Sequence, residues 1–312
     1  MTNCILPTSI LSTNHEGNMP SFYILDVGHG NCAVLIDREG VVVIDAGPNT
    51  VLLDFLIEHH INTVDILLLS HSDADHIAGA IGLLISEEIV VKQVYVNSDS
   101  TKNSQLWNDL VYMLSVAHQE NRLYFEPSLT PHLNGKLDQG DIGIEILAPN
   151  QYIAARGPGS QDRQGRKLSS NSISAVIRLS YHGKSFALLP GDLDLVGLEN
   201  LLEDHADIQT WLTVYPHHGG KPGTGNVKAF TKRFCEAVKP ERVIFSIGDN
   251  AIRFPSKEIL ETVEESLDNI KMLSTRSSKM LEQHIEKTGS KLHQNAVGHI
   301  HLIFESEQVI IM

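Results

Sequence analysis

Four side chains able to bind a divalent metal, His71, Asp73, Asp75 and His76, fall within the hexapeptide His71-Ser72-Asp73-Ala74-Asp75-His76. They follow Asp65-Ile66-Leu67-Leu68-Leu69-Ser70, an apolar run with the character of a buried strand. Imidazoles and carboxylates crowded at a strand end are costly to bury unless positive charge compensates them. Divalent ions compensate such a cluster well, and hydrolytic sites often hold two of them. The plain alternative is a polar turn rich in His and Asp.

Other polar clusters share this placement at the end of an apolar strand. They are Asp45, Asp192, His217 with His218, and Asn171 with Ser172, the last pair preceding a strand. Ligands of α/β sheets gather along such a rim, so the repetition carries more weight than any one member. Taken alone, Pro216-His217-His218-Gly219 reads equally as a surface turn and as a ligand pair, and Asp192 as a turn aspartate after Gly191. His29, between Gly28 and Gly30, lies on the same rim with its role open. His59 and His60 sit near a helix end, where the dipole favours them. Residues 151–170 hold Arg156, Arg163, Arg166 and Lys167 against one acid, Asp162. Such a stretch is ordinarily a solvated loop; beside a metal site it could receive phosphate.

The elements that must position these groups alternate between strand and helix. Strands are expected at Phe22 to Val27, Asn31 to Asp37, Val41 to Asp45, around Leu67–Leu69, and at Val90 to Val96. Helical spacing marks Thr50 to His60, Ile77 to Ser86 and Ser104 to Gln119. Further strands are predicted at Ile142 to Leu147, Ile173 to Ser180, Ser185 to Leu189, Trp211 to Tyr215, Val243 to Ile247, Val297 to Phe304 and Gln308 to Met312. Helices are predicted at Val196 to Asp204, Val227 to Val238 and Ser256 to Asp268, the last with Ser256 as N-cap. No repeat or linker interrupts them. The expectation is one α/β domain over residues 21–312, helices outside and mixed strands inside, after a loosely attached leader over 1–20.

The formal net charge of −14 argues against wide, non-specific wrapping of nucleic acid, which relies on many Lys and Arg contacts. It leaves a nucleic-acid substrate open, because bound cations reverse the local field of their ligands. Cys4, Cys32 and Cys235 are odd in number and widely spaced, which points to a reducing cytosol. No apolar run reaches the roughly 18–20 residues that span a bilayer, and the first residues lack the basic start of a signal peptide. A soluble cytoplasmic protein is expected.

Taken together, the motifs resemble the metallo-β-lactamase fold superfamily, whose H-x-H-x-D-H signature follows a strand. More narrowly they resemble the soluble hydrolase domain of ComEC competence proteins, where the signature reads H-x-D-x-D-H, as His71, Asp73, Asp75 and His76 do here. Asp26-Val27-Gly28-His29-Gly30-Asn31 resembles that family's D-V-G-Q-G-D, and Ile44-Asp45-Ala46-Gly47 its I-D-T-G. Asn171-Ser172 with Ser174 stands at its Asn/Ser element, Ser185 to Asp192 resembles S-F-L-L-T-G-D, and Pro216-His217-His218-Gly219 matches P-H-H-G. The departures are His29 and Asn31 in place of Gln and Asp, and a late Ile247 to Pro255 element that lacks its His. Thr275-Arg276-Ser277-Ser278 aligns only loosely with Arg-Thr-Asp, and the family's transmembrane channel is absent.

The resemblance implies an αββα sandwich of two mixed sheets with helices on the outer faces. It implies that His71 and Asp73 hold one metal, that Asp75, His76 and His218 hold a second, and that Asp192 bridges them. Asp45 would orient the metal loop by hydrogen bonds, outside the ligand set. His217 would be a further ligand, a phosphate contact or a proton donor, with Asn171 and Asp75 also in the catalytic group. His29, Ser172, Arg163, Arg166 and Lys167 are the substrate-binding candidates. Aspartate at position 73 hardens the site, so two Mn²⁺ or Zn²⁺ ions are expected. Their joint effect would be an activated hydroxide and a clamped phosphoryl oxygen.

The implied function is metal-dependent phosphodiester hydrolysis, with DNA or RNA as substrate. The alternatives are a small phosphodiester such as a cyclic nucleotide, and a metal-stabilised subunit that recognises a partner. A protein partner or self-association is left open by the sequence.

Overall fold

The structure is a computed structural model that describes residues 19–205, 207–223, 225–248, 253–305 and 308–311. The leader expected over 1–20 lies outside the described residues except for Met19 and Pro20, and so do residues 249–252 of the late 247–255 element.

Strands β1 (Ser21–Ile24), β2 (Ala33–Asp37), β3 (Gly40–Ile44), β4 (Thr63–Leu69), β5 (Val90–Val96) and β6 (Tyr124–Glu126) belong to one sheet. A second contains β7 (Ile142–Ala148), β8 (Val176–Tyr181), β9 (Lys184–Leu189), β10 (Leu212–Val214), β11 (Arg242–Phe245) and β12 (Lys271–Ser274). The chain then returns to the first sheet with β13 (Ile300–Glu305) and β14 (Gln308–Ile311), giving the order β14-β13-β1-β2-β3-β4-β5-β6. The second sheet runs β12-β11-β10-β9-β8-β7. Each is mixed: β3 to β6 are parallel, as are β9 to β12, while β1 to β3 and β7 to β9 pair antiparallel.

Alternation along the strands makes three layers of core. Ile66 and Leu68 of β4 meet Ile144, Leu189 and Val214 between the sheets. Val64, Leu67 and Leu69 turn the other way, under α1 (Val51–Glu58), α2 (Ala74–Ile85) and α3 (Gln105–Gln119). This is why β4 reads as a continuous apolar run: both faces are buried. A short helix, α4 (Gln151–Arg156), follows β7, and α5 (Leu195–Asp204), α6 (Val227–Val238), α7 (Lys257–Ser266) and α8 (Lys279–Thr288) cover the second sheet. The architecture is the αββα sandwich.

Three features depart from the sequence expectation. Helix α2 begins at Ala74, not Ile77, with Asp73 at its N-cap. Asp75 and His76 therefore ride on its first turn, where the helix dipole favours an acid. Residues 151–170 are not a solvated loop: α4 opens them, capped by Asn150, and Gln161 bridges Lys167. Strands β6 and β12 and helix α8 were not anticipated. No helix among the described residues is long and apolar enough to cross a membrane.

Candidate metal centre

The metal-ligand candidates converge from three strand ends and one helix N-terminus. β4 delivers His71, the N-cap and first turn of α2 deliver Asp73, Asp75 and His76, β9 delivers Asp192, and β10 delivers His217 and His218. Helix α2 is pinned to the turn after β3, where Ala46 N donates to His76 O (2.7 Å) and Gly79 N to Ala46 O (2.9 Å). A Cβ on Gly79 would stand 2.6 Å from Gly47 O, so only glycine permits this approach. Gly191 plays the same part for Asp192. At φ +54°, a side chain there would collide with Ser70 and Ser174. His217 and His218 themselves hold left-handed backbone, φ +52° and +54°, a strain that recurs at functional sites.

Among the described residues, two sets of ligand atoms, each within 4.8 Å of one another, meet at one carboxylate. Asp75, His76, Asp192 and His218 form the first; His71, Asp73 and Asp192 form the second. Asp192 Oδ1 lies 3.0 Å from His76 Nε2 and 3.5 Å from His218 Nε2. Its Oδ2 lies 3.8 Å from His71 Nε2 and 2.9 Å from His217 Nδ1. Asp75 Oδ2 is 3.2 Å from His218 Nε2, and Asp73 Oδ2 is 3.9 Å from His71 Nε2.

The hydrogen bonds behind these rings test whether metal ions fit. His76 Nδ1 donates to Asp45 Oδ2 (2.7 Å), His218 Nδ1 to Ser246 O (2.9 Å) and His71 Nδ1 to Ser70 Oγ (3.0 Å). Ser70 Oγ can accept because its own proton goes to Asp45 Oδ2 (2.8 Å). With every Nδ1 proton engaged on the far side, the three Nε2 atoms are those the rings present inward, each as a lone pair once an ion displaces any second proton. Those atoms and Asp192 Oδ1 are buried and make no hydrogen bond. Buried polar atoms left this way are rare; divalent ions would satisfy all four. The donor set fits.

The electrostatics follow the same geometry. Burial opposes charge on His76, but Asp192 and Asp45 outweigh it and hold its pKa well above the ordinary value. Burial, with His76 beside it, pushes His71 down. Burial would raise Asp192 and Asp75, yet the surrounding histidines hold both carboxyls below the usual range. His217 is raised by its hydrogen bond to Asp192. Asp45 makes hydrogen bonds of the kind the resemblance implied, its Oδ1 also accepting from Ser70 N at 2.7 Å.

The other expected site residues divide. Asn171 joins the centre, its Nδ2 3.2 Å from His217 Nδ1. His29 stands at the mouth, half exposed, with Nε2 3.9 Å from Asp75 Oδ2 and its ring 4.5 Å from that of His218. Burial and His218 lower its pKa. Ser172 is buried and donates to Asp194 Oδ2 (2.7 Å), the N-cap of α5, which suits a structural role and not a substrate contact. Arg166 is likewise occupied: it pairs with Asp162 (2.6 Å), Glu199 and Glu203 (3.2 Å). Arg163 lies over the Tyr152 ring, 5.0 Å from its centroid, and Lys167 is exposed.

Sequence reasoning missed Ser70, Asp99 and Lys102. Asp99 and Lys102 lie on the polar segment after β5, on the same rim; the strand-end rule would have marked that segment without singling out these two residues within it. A third grouping, Glu264, His284 and His293, has metal-like spacing. His293 Nδ1 accepts from Met272 N (3.3 Å), so its proton lies on Nε2, 3.5 Å from Glu264 Oε1. That leaves His293 no lone pair for an ion; Glu264 of α7 instead stands 2.9 Å from Nε2 of His284 on α8.

Residues 25–228 match the metallo-beta-lactamase superfamily. ComE operon protein 3 of Bacillus subtilis (strain 168) is 24% identical over 277 residues, which are 81% of this chain and 31% of that protein. This chain thus spans under a third of that relative's length. Among solved structures, the metallo-beta-lactamase fold protein YhfI of Bacillus subtilis superposes with a TM-score of 0.50 at 8% identity, covering 82% of this chain and 96% of that one. Tm1679, described as a metal-dependent hydrolase of the beta-lactamase superfamily, gives 0.48 at 16% identity, covering 82% and 96%. The family match begins just after β1 and takes in every candidate ligand from His71 to His218; this chain belongs to the metallo-β-lactamase superfamily.

Proposed function

We propose that this protein is a hydrolase that cleaves phosphodiesters with two divalent ions, Mn²⁺ or Zn²⁺, and that its substrate is DNA or RNA. The observation that carries this reading is Asp192, shared between two ligand sets that together offer three carboxylates and three imidazoles. That mixture is harder than an all-histidine zinc site and suits manganese as well. The resemblance to the ComEC-like hydrolase domain, through Asp73, supplies the bias toward phosphodiesters. A reducing cytosol is the proposed location, in keeping with Cys32 and Cys235, which are buried and unpaired.

In this reading His71, Asp73 and Asp192 would hold one ion, and Asp75, His76, Asp192 and His218 the other. Bound ions would stabilise charge building on the phosphoryl oxygen and make water a competent nucleophile near neutral pH. His217 Nδ1 is taken by Asp192, which leaves Nε2 to give a proton to the leaving oxygen. Asn171, packed against His217, keeps the ring from turning away.

The test is a panel of single- and double-stranded DNA, RNA and bis(p-nitrophenyl) phosphate, offered to protein loaded with Mn²⁺, Zn²⁺ or Mg²⁺. Cleavage should require metal and disappear in Asp75→Ala and His76→Ala. His217→Ala should cost about 100-fold or more on nucleic acid, whose leaving alkoxide needs a proton, and little on the nitrophenyl ester. No cleavage of any substrate by metal-loaded protein would sink the reading.

A small phosphodiester is the second reading. It is favoured by the net charge of −14 and by the engagement of Arg166 with Asp162, Glu199 and Glu203.

A further inference from the structure

Residues 97–104, Asn-Ser-Asp-Ser-Thr-Lys-Asn-Ser, leave β5 on the rim that carries the ligand candidates. Asp99, 4% exposed, is the hub of this segment. Its Oδ2 accepts from Ser72 Oγ (2.7 Å) and Ser170 Oγ (2.5 Å). Its Oδ1 accepts from Thr101 N (3.0 Å), Thr101 Oγ1 (2.8 Å) and Lys102 N (3.1 Å), and its carbonyl from Trp107 Nε1 (3.1 Å). One carboxylate thus ties the loop between His71 and Asp73 to the residue before Asn171 and to its own segment. Buried charge satisfied this fully makes a rigid node.

On that node Lys102 turns its ammonium toward Asp73, with Nζ 2.5 Å from Oδ1. Both side chains keep more than a quarter of their surface open. Asp73 Oδ2 faces His71, so its two oxygens look in different directions, one to the ligand set and one to the lysine. An ammonium has three donors, and Asp73 uses one. Beside a divalent ion a bare ammonium is repelled unless an anion lies between. The bound carboxylate is one such anion, and a substrate phosphate would be a second.

Resting on the phosphodiester reading, we propose that Lys102 binds a non-bridging phosphoryl oxygen of the substrate, and that Asp99 positions the segment that presents it. Lys102 supplies at the metal rim the cation that Arg166, held by three acids, does not.

The assignment is tested on the metal-loaded protein by calorimetric binding of inorganic phosphate, by KM and kcat on bis(p-nitrophenyl) phosphate, and by metal affinity. Lys102→Ala should weaken phosphate binding roughly 10- to 150-fold, the range of a charged hydrogen bond. KM should rise in step, with metal content intact, and Lys102→Arg should recover most of the loss. Asp99→Asn should act in the same direction, and adding it to Lys102→Ala should cost little more. Were Lys102 only a counter-ion for Asp73, Lys102→Ala would change metal affinity and leave phosphate affinity and KM alone; that overturns the proposal, as does a wild type that binds no phosphate. Lysine-dependent phosphate binding without turnover of any diester would retain the anion contact and defeat the phosphodiesterase reading. Turnover indifferent to Lys102 would do the reverse.

Discussion

Asp192 has two oxygens and each faces a different set of imidazoles, so no other residue in the centre can replace it. Asp45 is its counterpart behind the ligands. It accepts from Ser70 N, Ser70 Oγ and His76 Nδ1, and so fixes which nitrogen of His76 faces inward. Its φ of +59° is one that asparagine tolerates. Asp45→Asn therefore keeps the backbone while turning one acceptor into a donor that must oppose Ser70 or His76. We expect metal affinity to fall about 10- to 100-fold, the usual cost of losing a partner that orients a ligand. Competition with a chromogenic chelator measures it, and an unchanged affinity would remove Asp45 from the metal site's support. The ligand candidates were legible in the sequence because metal chemistry admits few residue types and they stood at strand ends. Ser70, Asp99 and Lys102 were not, because serine, aspartate and lysine are common in any loop. What distinguishes them is tertiary contact.

Between strands and helices, the segment that misled sequence reasoning is 157–170. Its arginines and glycines suggested a solvated basic loop, yet Asp162 folds inward and accepts from Arg166 N (2.8 Å), Arg166 Nε (2.6 Å), Gln164 N (3.0 Å) and Asn200 Nδ2 (3.1 Å). Glu199, which pairs with Arg166, and Asn200, which donates to Asp162, come from α5, a helix later in the chain, so the local sequence held no sign of them. Strands β6 and β12 were missed for a different reason, being only three and four residues long. Helix α8 buries just Leu281 and His284, too sparse a stripe to announce itself. The fate of Asp162 has a pH signature. Burial alone would raise its pKa, but Arg166 and Asn200 hold it below the usual carboxylate range. The unfolded carboxyl takes up its proton near pH ~3.9, whereas the folded one resists until lower pH. Its stabilisation is therefore present above pH ~4 and is lost as pH falls through the folded pKa. Asp162→Asn should lower stability by about 1–3 kcal/mol at pH 7, and the gap to wild type should narrow as unfolding is repeated toward pH 3. A gap independent of pH would mean that packing, not the charge, holds the strap. Phosphate affinity should be unchanged throughout, which separates Arg166 from Lys102.

For the molecule as a whole, the two ligand sets join both sheets and helix α2 through one buried charge cluster, so metal binding and stability are linked. Ions that bind only the folded chain add stability that grows with their concentration, about 2.7 kcal/mol at a hundred times Kd. Chelation should lower Tm by several degrees, restoration of Mn²⁺ or Zn²⁺ should reverse it, and Asp192→Asn should abolish the difference. Equal Tm with and without chelator would count against ions at this centre.

The net charge of −14 bears on the substrate, because a polyanion must find local cations on a chain that repels it at long range. A strand contacting three phosphates should lose roughly 20-fold in affinity between 50 and 200 mM salt, since each contact releases counter-ions. A small diester held through Lys102 alone should lose about threefold or less. KM for a single-stranded oligonucleotide and for bis(p-nitrophenyl) phosphate, measured across that range, distinguishes the two readings. A steep oligonucleotide response beside a shallow diester response assigns nucleic acid, with contacts beyond Lys102. Equal, shallow responses assign a small diester, because a single cation would then be the whole of the electrostatic recognition.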